Sequence, residues 1–365
     1  MSVLVTVLSV SALAALLAAL VALADYKLNN YGVCQIDINR GARILEVNGG
    51  LSLLSSLANQ KVFIPSACGG KATCGLCKVT LLENVGPVMP TEEPYLTEQE
   101  IDLGVRLACQ VKVKHDLKIT IPDEFFRIKQ YRTRVTKITR LTHDIKEFQL
   151  KLVDPATIQF KAGQYVQVDS KPYGDITETV SRAYSISSLP SQEGLIELIV
   201  RLVPGGFCTT FFHEHVQEGD EITLAGPFGD FYLQEGGDEL IFIAGGSGLA
   251  PIRSLILDIL EQNLEKEMRF FFGAVQKRDL YYVDFFRELE AEYPNFSFIP
   301  ALSRPLPEDG WEGEEGLVTE VVARHVKDAQ RKQAYLCGSP GMINACLEVL
   351  MEIGFTEEHI FYDKF

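Results

Sequence analysis

Three cysteines fall within ten residues, in Ser66-Ala67-Cys68-Gly69-Gly70-Lys71-Ala72-Thr73-Cys74-Gly75-Leu76-Cys77. A fourth, Cys109, comes later in Leu107-Ala108-Cys109-Gln110. Thiolates are soft ligands and select iron–sulfur clusters or zinc. A [2Fe–2S] cluster can be held by C-x4-C-x2-C and a distant fourth cysteine. The spacing here is C-x5-C-x2-C, one residue longer in the first gap. Glycines suit a loop that must curl tightly and aim N–H groups at cluster sulfurs. Zinc is the alternative, but its sites usually pair two short knuckles, and Cys109 has no knuckle partner. Cys68, Cys74, Cys77 and Cys109 are therefore the candidate metal ligands, with a cluster favoured over zinc.

Two further stretches fit nucleotides. Gly245-Gly246-Ser247-Gly248 stands between the apolar run Leu240-Ile241-Phe242-Ile243-Ala244 and a helical pattern from Ile252 to Asn263. Glycines there let a pyrophosphate approach the backbone at a helix N-terminus. A tight turn without a ligand is the alternative. Arg182-Ala183-Tyr184-Ser185 offers a guanidinium for phosphate, a ring to stack on a flavin and a hydroxyl for the flavin edge. On local evidence alone, a strand with a surface arginine explains that motif better.

The elements around these motifs predict a multidomain chain. Residues 3–24 carry no charge and are long enough to span about 30 Å of hydrocarbon, so a transmembrane helix is expected over 1–26. A signal peptide is the alternative, but no Lys or Arg precedes the run. Lys27, Arg40 and Arg43 follow it, which puts the rest of the chain in the cytoplasm. The expected placement is the inner membrane, single-pass, with the soluble domains facing the cytoplasm. Residues 32–126 read as an α+β domain in β-grasp order around the cysteine loop. Residues 129–235 carry short β runs separated by turn residues, as in an antiparallel barrel. Residues 237–365 alternate strand and helix, as in an α/β doubly wound layer. The net charge of −15 argues against nucleic acid as a partner, since phosphate binding needs a basic face.

Three motifs occur in the order of the ferredoxin–NAD(P)H reductase superfamily: Arg182-Ala183-Tyr184-Ser185, then Gly245-Gly246-Ser247-Gly248-Leu249-Ala250-Pro251, then Cys337-Gly338-Ser339-Pro340. With the cysteine domain and an apolar helix ahead of them, the whole chain resembles the F subunit of the sodium-translocating NADH:quinone oxidoreductase. That protein shares the x5 gap and the Leu-Ala-Cys-Gln context of the fourth ligand. The resemblance implies FAD, a [2Fe–2S] cluster and NADH as cofactors. It implies Arg182, Tyr184 and Ser185 on FAD, with the FAD pyrophosphate on the turn Gly206-Phe207-Cys208-Thr209-Thr210. Gly245, Gly246, Gly248 and Pro251 would line NADH. Ser303 and Arg304 would meet its adenosine side, and this pair also suits the 2′-phosphate of NADPH. Ser185 and Cys337 are placed at the reacting atoms, as the catalytic pair. The terminal Phe365 would shield the flavin ring.

The expected function is a membrane-anchored NADH dehydrogenase subunit. It would pass electrons from NADH to FAD, to [2Fe–2S], to integral-membrane redox subunits and ultimately to quinone, with the bilayer contacted through residues 3–24. The alternatives are the reductase component of a multicomponent oxygenase, a stand-alone NAD(P)H-dependent electron-transfer flavoprotein, and a non-enzymatic redox sensor.

Overall fold

The computed structural model describes residues 2–29, 31–83, 86–175, 177 and 179–364, and of 2–4, 22–29 and 364 the backbone only. The chain divides into two compact units, Met1–Ile128 and Lys129–Phe365.

The first unit opens with helix α1 (Ser2–Asn29). Its described side chains run from residue 5 to residue 21 and are all exposed. Among the described residues no helix is long and apolar enough to cross a membrane. The expected transmembrane segment, and the single-pass inner-membrane placement built on it, are corrected on that ground. Val3, Leu4 and residues 22–24 of the expected span lie outside the described side chains.

After α1 come β1 (Val33–Ile38), β2 (Arg43–Asn48), α2 (Leu53–Asn59), β3 (Lys78–Leu81), α3 (Glu98–Asp102), β4 (Val105–Leu107) and β5 (Leu117–Thr120). The strands form one mixed sheet in the order β2-β1-β5-β3-β4. Period-two alternation buries Cys34, Ile36 and Ile38 of β1 in a core shared with Leu53 and Leu57 of α2. Ser52 caps α2 by accepting from the Ser55 N–H. Thr97 and Glu100 form a capping box on α3.

A buried ion pair locks the segment before α3 to β4. Glu92 accepts from Arg106 Nε at 3.0 Å and Nη2 at 2.5 Å, and from the backbone N–H groups of Met89 and Leu107. Burial alone would raise the Glu92 pKa, but Arg106 and the two N–H groups outweigh it and hold the carboxyl below its ordinary value. A depressed folded-state pKa gives stability that is full above the unfolded value and is lost as pH falls through the folded one. Glu92→Leu strands the Arg106 charge and is expected to cost about 3–5 kcal/mol, whereas Glu92→Leu with Arg106→Leu should recover most of it. Urea melts of the two variants and the parent check this. A single variant within about 1 kcal/mol of the parent would show that the pair contributes little.

The second unit contains two sheets. Strands β6 (Lys129–Arg140), β7 (Ile145–Asp154), β8 (Tyr165–Asp169), β9 (Ser181–Ser185), β10 (Leu195–Arg201) and β11 (Glu221–Phe228) form the antiparallel order β10-β7-β6-β11-β8-β9. A bridge between Ile186 and Leu198 ties the two ends together and closes a barrel. Helix α4 (Phe207–Thr210), continued by a π-helical turn over Phe211–His215, covers it with Phe211 and Phe212 buried.

The other sheet is parallel: β12 (Glu239–Gly245), α5 (Leu249–Glu261), β13 (Glu267–Ala274), α6 (Val283–Glu292), β14 (Phe296–Leu302), β15 (Glu314–Glu315), α7 (Val318–His325), β16 (Lys332–Gly338), α8 (Pro340–Ile353) and β17 (Ile360–Lys364). The strand order is β15-β14-β13-β12-β16-β17. Leu240, Phe242 and Ala244 of β12 pack with α5 and α6, while Ile241 and Ile243 pack with α7 and α8. The sheet is therefore covered on both faces, which explains the unbroken apolar run of β12. The strand order reverses between β12 and β16. Ligands of such sheets bind in the crevice at the carboxyl ends of the strands on either side of that reversal.

Candidate functional site

In the first unit, Cys68 and Cys74 lie on the loop between α2 and β3. Cys77 immediately precedes β3, and Cys109 follows β4. The backbone joins the last two, with Ala108 N–H donating to Cys77 O at 2.8 Å. The loop folds back on Ser66, whose carbonyl accepts from Gly69 N–H and whose hydroxyl accepts from Gly70 N–H. Gly75 has φ +68°, and a Cβ there would lie 2.6 Å from the Tyr95 ring. This position therefore needs glycine for both conformation and space.

The thiols stand as two pairs. Cys74 and Cys68 sulfurs are 3.4 Å apart, and Cys77 hydrogen-bonds Cys109. In each pair one sulfur is stabilised as thiolate by its neighbour's S–H: Cys68 is pulled down to about 4 and Cys109 to about 6. Cys74 and Cys77 are pushed up, first by donating that hydrogen bond and then by burial. Among the described residues no group of three or more His, Cys, Asp or Glu converges on one metal position. Two thiol pairs are the donor set that two tetrahedral metals in one cluster call for, each taking two protein sulfurs. The residues present fit a [2Fe–2S] group.

In the second unit, Arg182, Tyr184 and Ser185 lie on β9, opposite Val168, Val166 and Tyr165 of β8. Tyr184 meets Phe212 edge-on, with ring centroids 5.1 Å apart. Burial pushes its phenol well above the ordinary value. Ser185 Oγ is buried and has no hydrogen-bond partner. A buried hydroxyl without a partner costs about 1–3 kcal/mol, so an absent polar edge is the natural occupant. The residues fit a flavin.

Gly206 caps α4. Thr209 Oγ1 is engaged inside the turn, with Val203 N–H and the carbonyls of Val203 and Gly206. These bonds hold the turn's shape. Cys208 is buried and donates to Val180 O at 3.1 Å, next to β9. Tyr173, which no sequence motif singled out, donates to Phe207 O at 2.7 Å and meets the His215 ring at a tilt, with centroids 4.3 Å apart. An aromatic in the short connection before Arg182 was the available signal.

At the carboxyl edge of the parallel sheet, Gly245 ends β12 and Gly246–Gly248 follow it, Ser303 and Arg304 follow β14, and Cys337 is the last residue but one of β16. All of these residues share one edge. Gly248 packs so closely on β16 that a Cβ would lie 2.2 Å from Cys337 O. Pro251 is in the first turn of α5, where a missing N–H costs nothing. Tyr281 Oη donates to Gly246 O at 2.7 Å and fixes the loop from the far side, a contact no local motif announces. Ser303 and Arg304 donate their backbone N–H groups to Ala274 O and Val275 O, and the Arg304 side chain is exposed. Cys337 is fully buried, and burial raises its thiol well above the ordinary value. Phe365 lies outside the described residues.

Three family descriptions match the chain in this order: a 2Fe-2S iron-sulfur cluster binding domain over residues 36–114, an oxidoreductase FAD-binding domain over 132–232 and an oxidoreductase NAD-binding domain over 242–348. Among curated proteins, the chain is 34% identical to the F subunit of the Na(+)-translocating NADH-quinone reductase of Neisseria meningitidis, with 96% of each chain covered. It is 35% identical to that of Histophilus somni over the same shares. Among solved structures it resembles a cytochrome P450 reductase of Amycolatopsis, with TM-score 0.73, 26% identity, and 91% of this chain and 98% of that one covered. It also resembles the ferredoxin reductase of a carbazole 1,9a-dioxygenase, with TM-score 0.69, 25% identity and the same coverage.

Proposed function

The chain belongs to the family of the F subunit of the Na(+)-translocating NADH-quinone reductase, and on that premise we propose that it feeds electrons from NADH to membrane redox subunits on the way to quinone. It is an NADH-dependent oxidoreductase that binds FAD, a [2Fe–2S] cluster and NAD(H). Electrons pass from NADH to FAD and then to the cluster. The membrane partners and the quinone endpoint are the proposal.

Residues 129–235 are assigned to FAD, 237–365 to the nicotinamide nucleotide and 32–126 to the cluster. When bound, FAD takes a hydride and releases its electrons singly, and the cluster carries one electron at a time. The protein supplies position. The Ser185 hydroxyl gives a hydrogen bond to the flavin edge, Tyr184 flanks the ring and Arg182 pairs with phosphate. The Gly245–Gly248 loop, held by Tyr281, lets NADH approach the backbone. Ser303 and Arg304 meet the adenosine side. Cys337 forms the floor under the loop, beside the nicotinamide. Cys68, Cys74, Cys77 and Cys109 hold the cluster.

One observation carries this reading. A single chain joins paired thiols in one unit to a glycine loop and an unpartnered Ser185 hydroxyl in the other. The protein loaded with FAD and cluster is expected to reduce cytochrome c with NADH, at least tenfold faster than with NADPH. No turnover with either nucleotide would overturn the assignment.

The likeness to oxygenase reductases over 91% of the chain supports a second reading, delivery to a soluble oxygenase. Purification in detergent separates the two. Recovery with polytopic subunits supports the first, and recovery with a soluble oxygenase overturns it.

A further inference from the structure

Gln110 follows the fourth candidate ligand, and its side-chain amide lies against that ligand's sulfur, with Nε2 3.5 Å from Cys109 Sγ. The other end of the amide is also held. Thr91 Oγ1 donates to Gln110 Oε1 at 2.8 Å. A ligand sulfur only accepts, so it takes the NH2 group, and the carbonyl oxygen is left for the Thr91 hydroxyl, which holds the amide from its other end. Thr91 has a fixed seat because the next residue, Glu92, is fully buried and bound to Arg106 and to the Leu107 N–H. A line of contacts thus runs from a buried ion pair, through an oriented hydroxyl and an oriented amide, to one of the four sulfurs.

We infer that Gln110, oriented by Thr91, raises the reduction potential of the cluster by donating an N–H to the Cys109 sulfur. This rests on the reading of Cys109 as a ligand. Reduction of the cluster adds one electron, with no proton and no bond made or broken, so negative charge on the sulfurs grows. A donor aimed at a ligand sulfur stabilises the reduced form more than the oxidised one, and hydrogen bonds to the sulfurs are one of the levers that set such potentials. Gln110 is half-buried, so water does not fully replace the amide when it is removed. Gln110 acts through Cys109 and is a positioning residue. Its consequence for the relay is a cluster that draws electrons from the flavin more readily and releases them less readily.

The test is an EPR-monitored redox titration of the full chain carrying both FAD and cluster. Gln110→Leu is expected to shift the reduced-to-oxidised ratio at a fixed potential about tenfold toward oxidised, which is about 59 mV for one electron. Thr91→Val should move it the same way by a smaller factor, because the amide is then free to turn. Thr91→Ser, which keeps the hydroxyl, should restore the parent value. The absorbance spectrum reports whether each variant holds its cluster. An unmoved midpoint in loaded Gln110→Leu or loaded Thr91→Val overturns the inference, and if Gln110→Leu does not load, Thr91→Val decides. A parent protein that takes up no cluster would overturn the ligand reading instead.

Discussion

Gly248→Ala is expected to slow flavin reduction by NADH at least a hundredfold while FAD stays bound. Gly248 has φ −61°, which any residue adopts, so backbone freedom is not what glycine supplies here. Space is. An added Cβ would stand 2.2 Å from Cys337 O, 2.4 Å from Cys337 C and 2.8 Å from Gly338 N. These are backbone atoms of β16, paired to β12 on one side and β17 on the other. No side chain can swing away to relieve the clash, so the loop itself must move. Overpacking ordinarily costs about 1–3 kcal/mol, and a shift of about 1 Å in a positioning element can cost about a hundredfold in rate. The FAD residues lie on β9 and on α4 with its cap Gly206, away from the clash, so flavin content should hold. Stopped-flow flavin bleaching and a thermal melt check both halves. A rate within threefold of the parent at unchanged melting temperature would show that the loop does not position the nucleotide.

Cys68→Ala has an effect of similar size at the other end of the relay. NADH should still bleach the flavin at the parental rate, and NADH-driven cytochrome c reduction should fall at least a hundredfold. The reason for the split is architectural. Cys68 belongs to the unit Met1–Ile128, whereas the flavin and nucleotide motifs sit in Lys129–Phe365, with cores of their own. Cys68 is only half-buried, so its loss leaves no large cavity. Cys74 then loses the sulfur 3.4 Å away with which it forms a pair. Full retention of cytochrome reduction would reverse the proposed order of carriers.

The features readable from sequence were those written in a few adjacent residues. The cysteine spacing, the glycine loop after an apolar run and Arg182 to Ser185 on a strand are local patterns, and local patterns survive without a structure. The alternation from β12 to α8 was legible for the same reason, since a parallel sheet covered on both faces writes its strands as unbroken apolar runs. What escaped was long-range. Tyr281 reaches Gly246 across thirty-five positions. Glu92 finds Arg106 across a helix and a turn. The Ile186–Leu198 bridge that closes the barrel leaves no mark in either strand. Apolar composition over 3–24 is the exception: an uncharged run reads as a span, yet among the described residues no helix is long and apolar enough to cross a membrane.

The strand β12 has one more consequence. Leu240 to Ala244 are wholly inaccessible, and their amides are tied to neighbours on both sides. Amides of this kind exchange with solvent only when the whole unit opens, whereas loops at the edge of a sheet open at far lower cost. The glycine loop is joined directly to this strand. Its own fluctuations on the timescale of nucleotide exchange therefore pivot on a root that stays shut, so the unit can release a spent nucleotide many times without once exposing its spine to water.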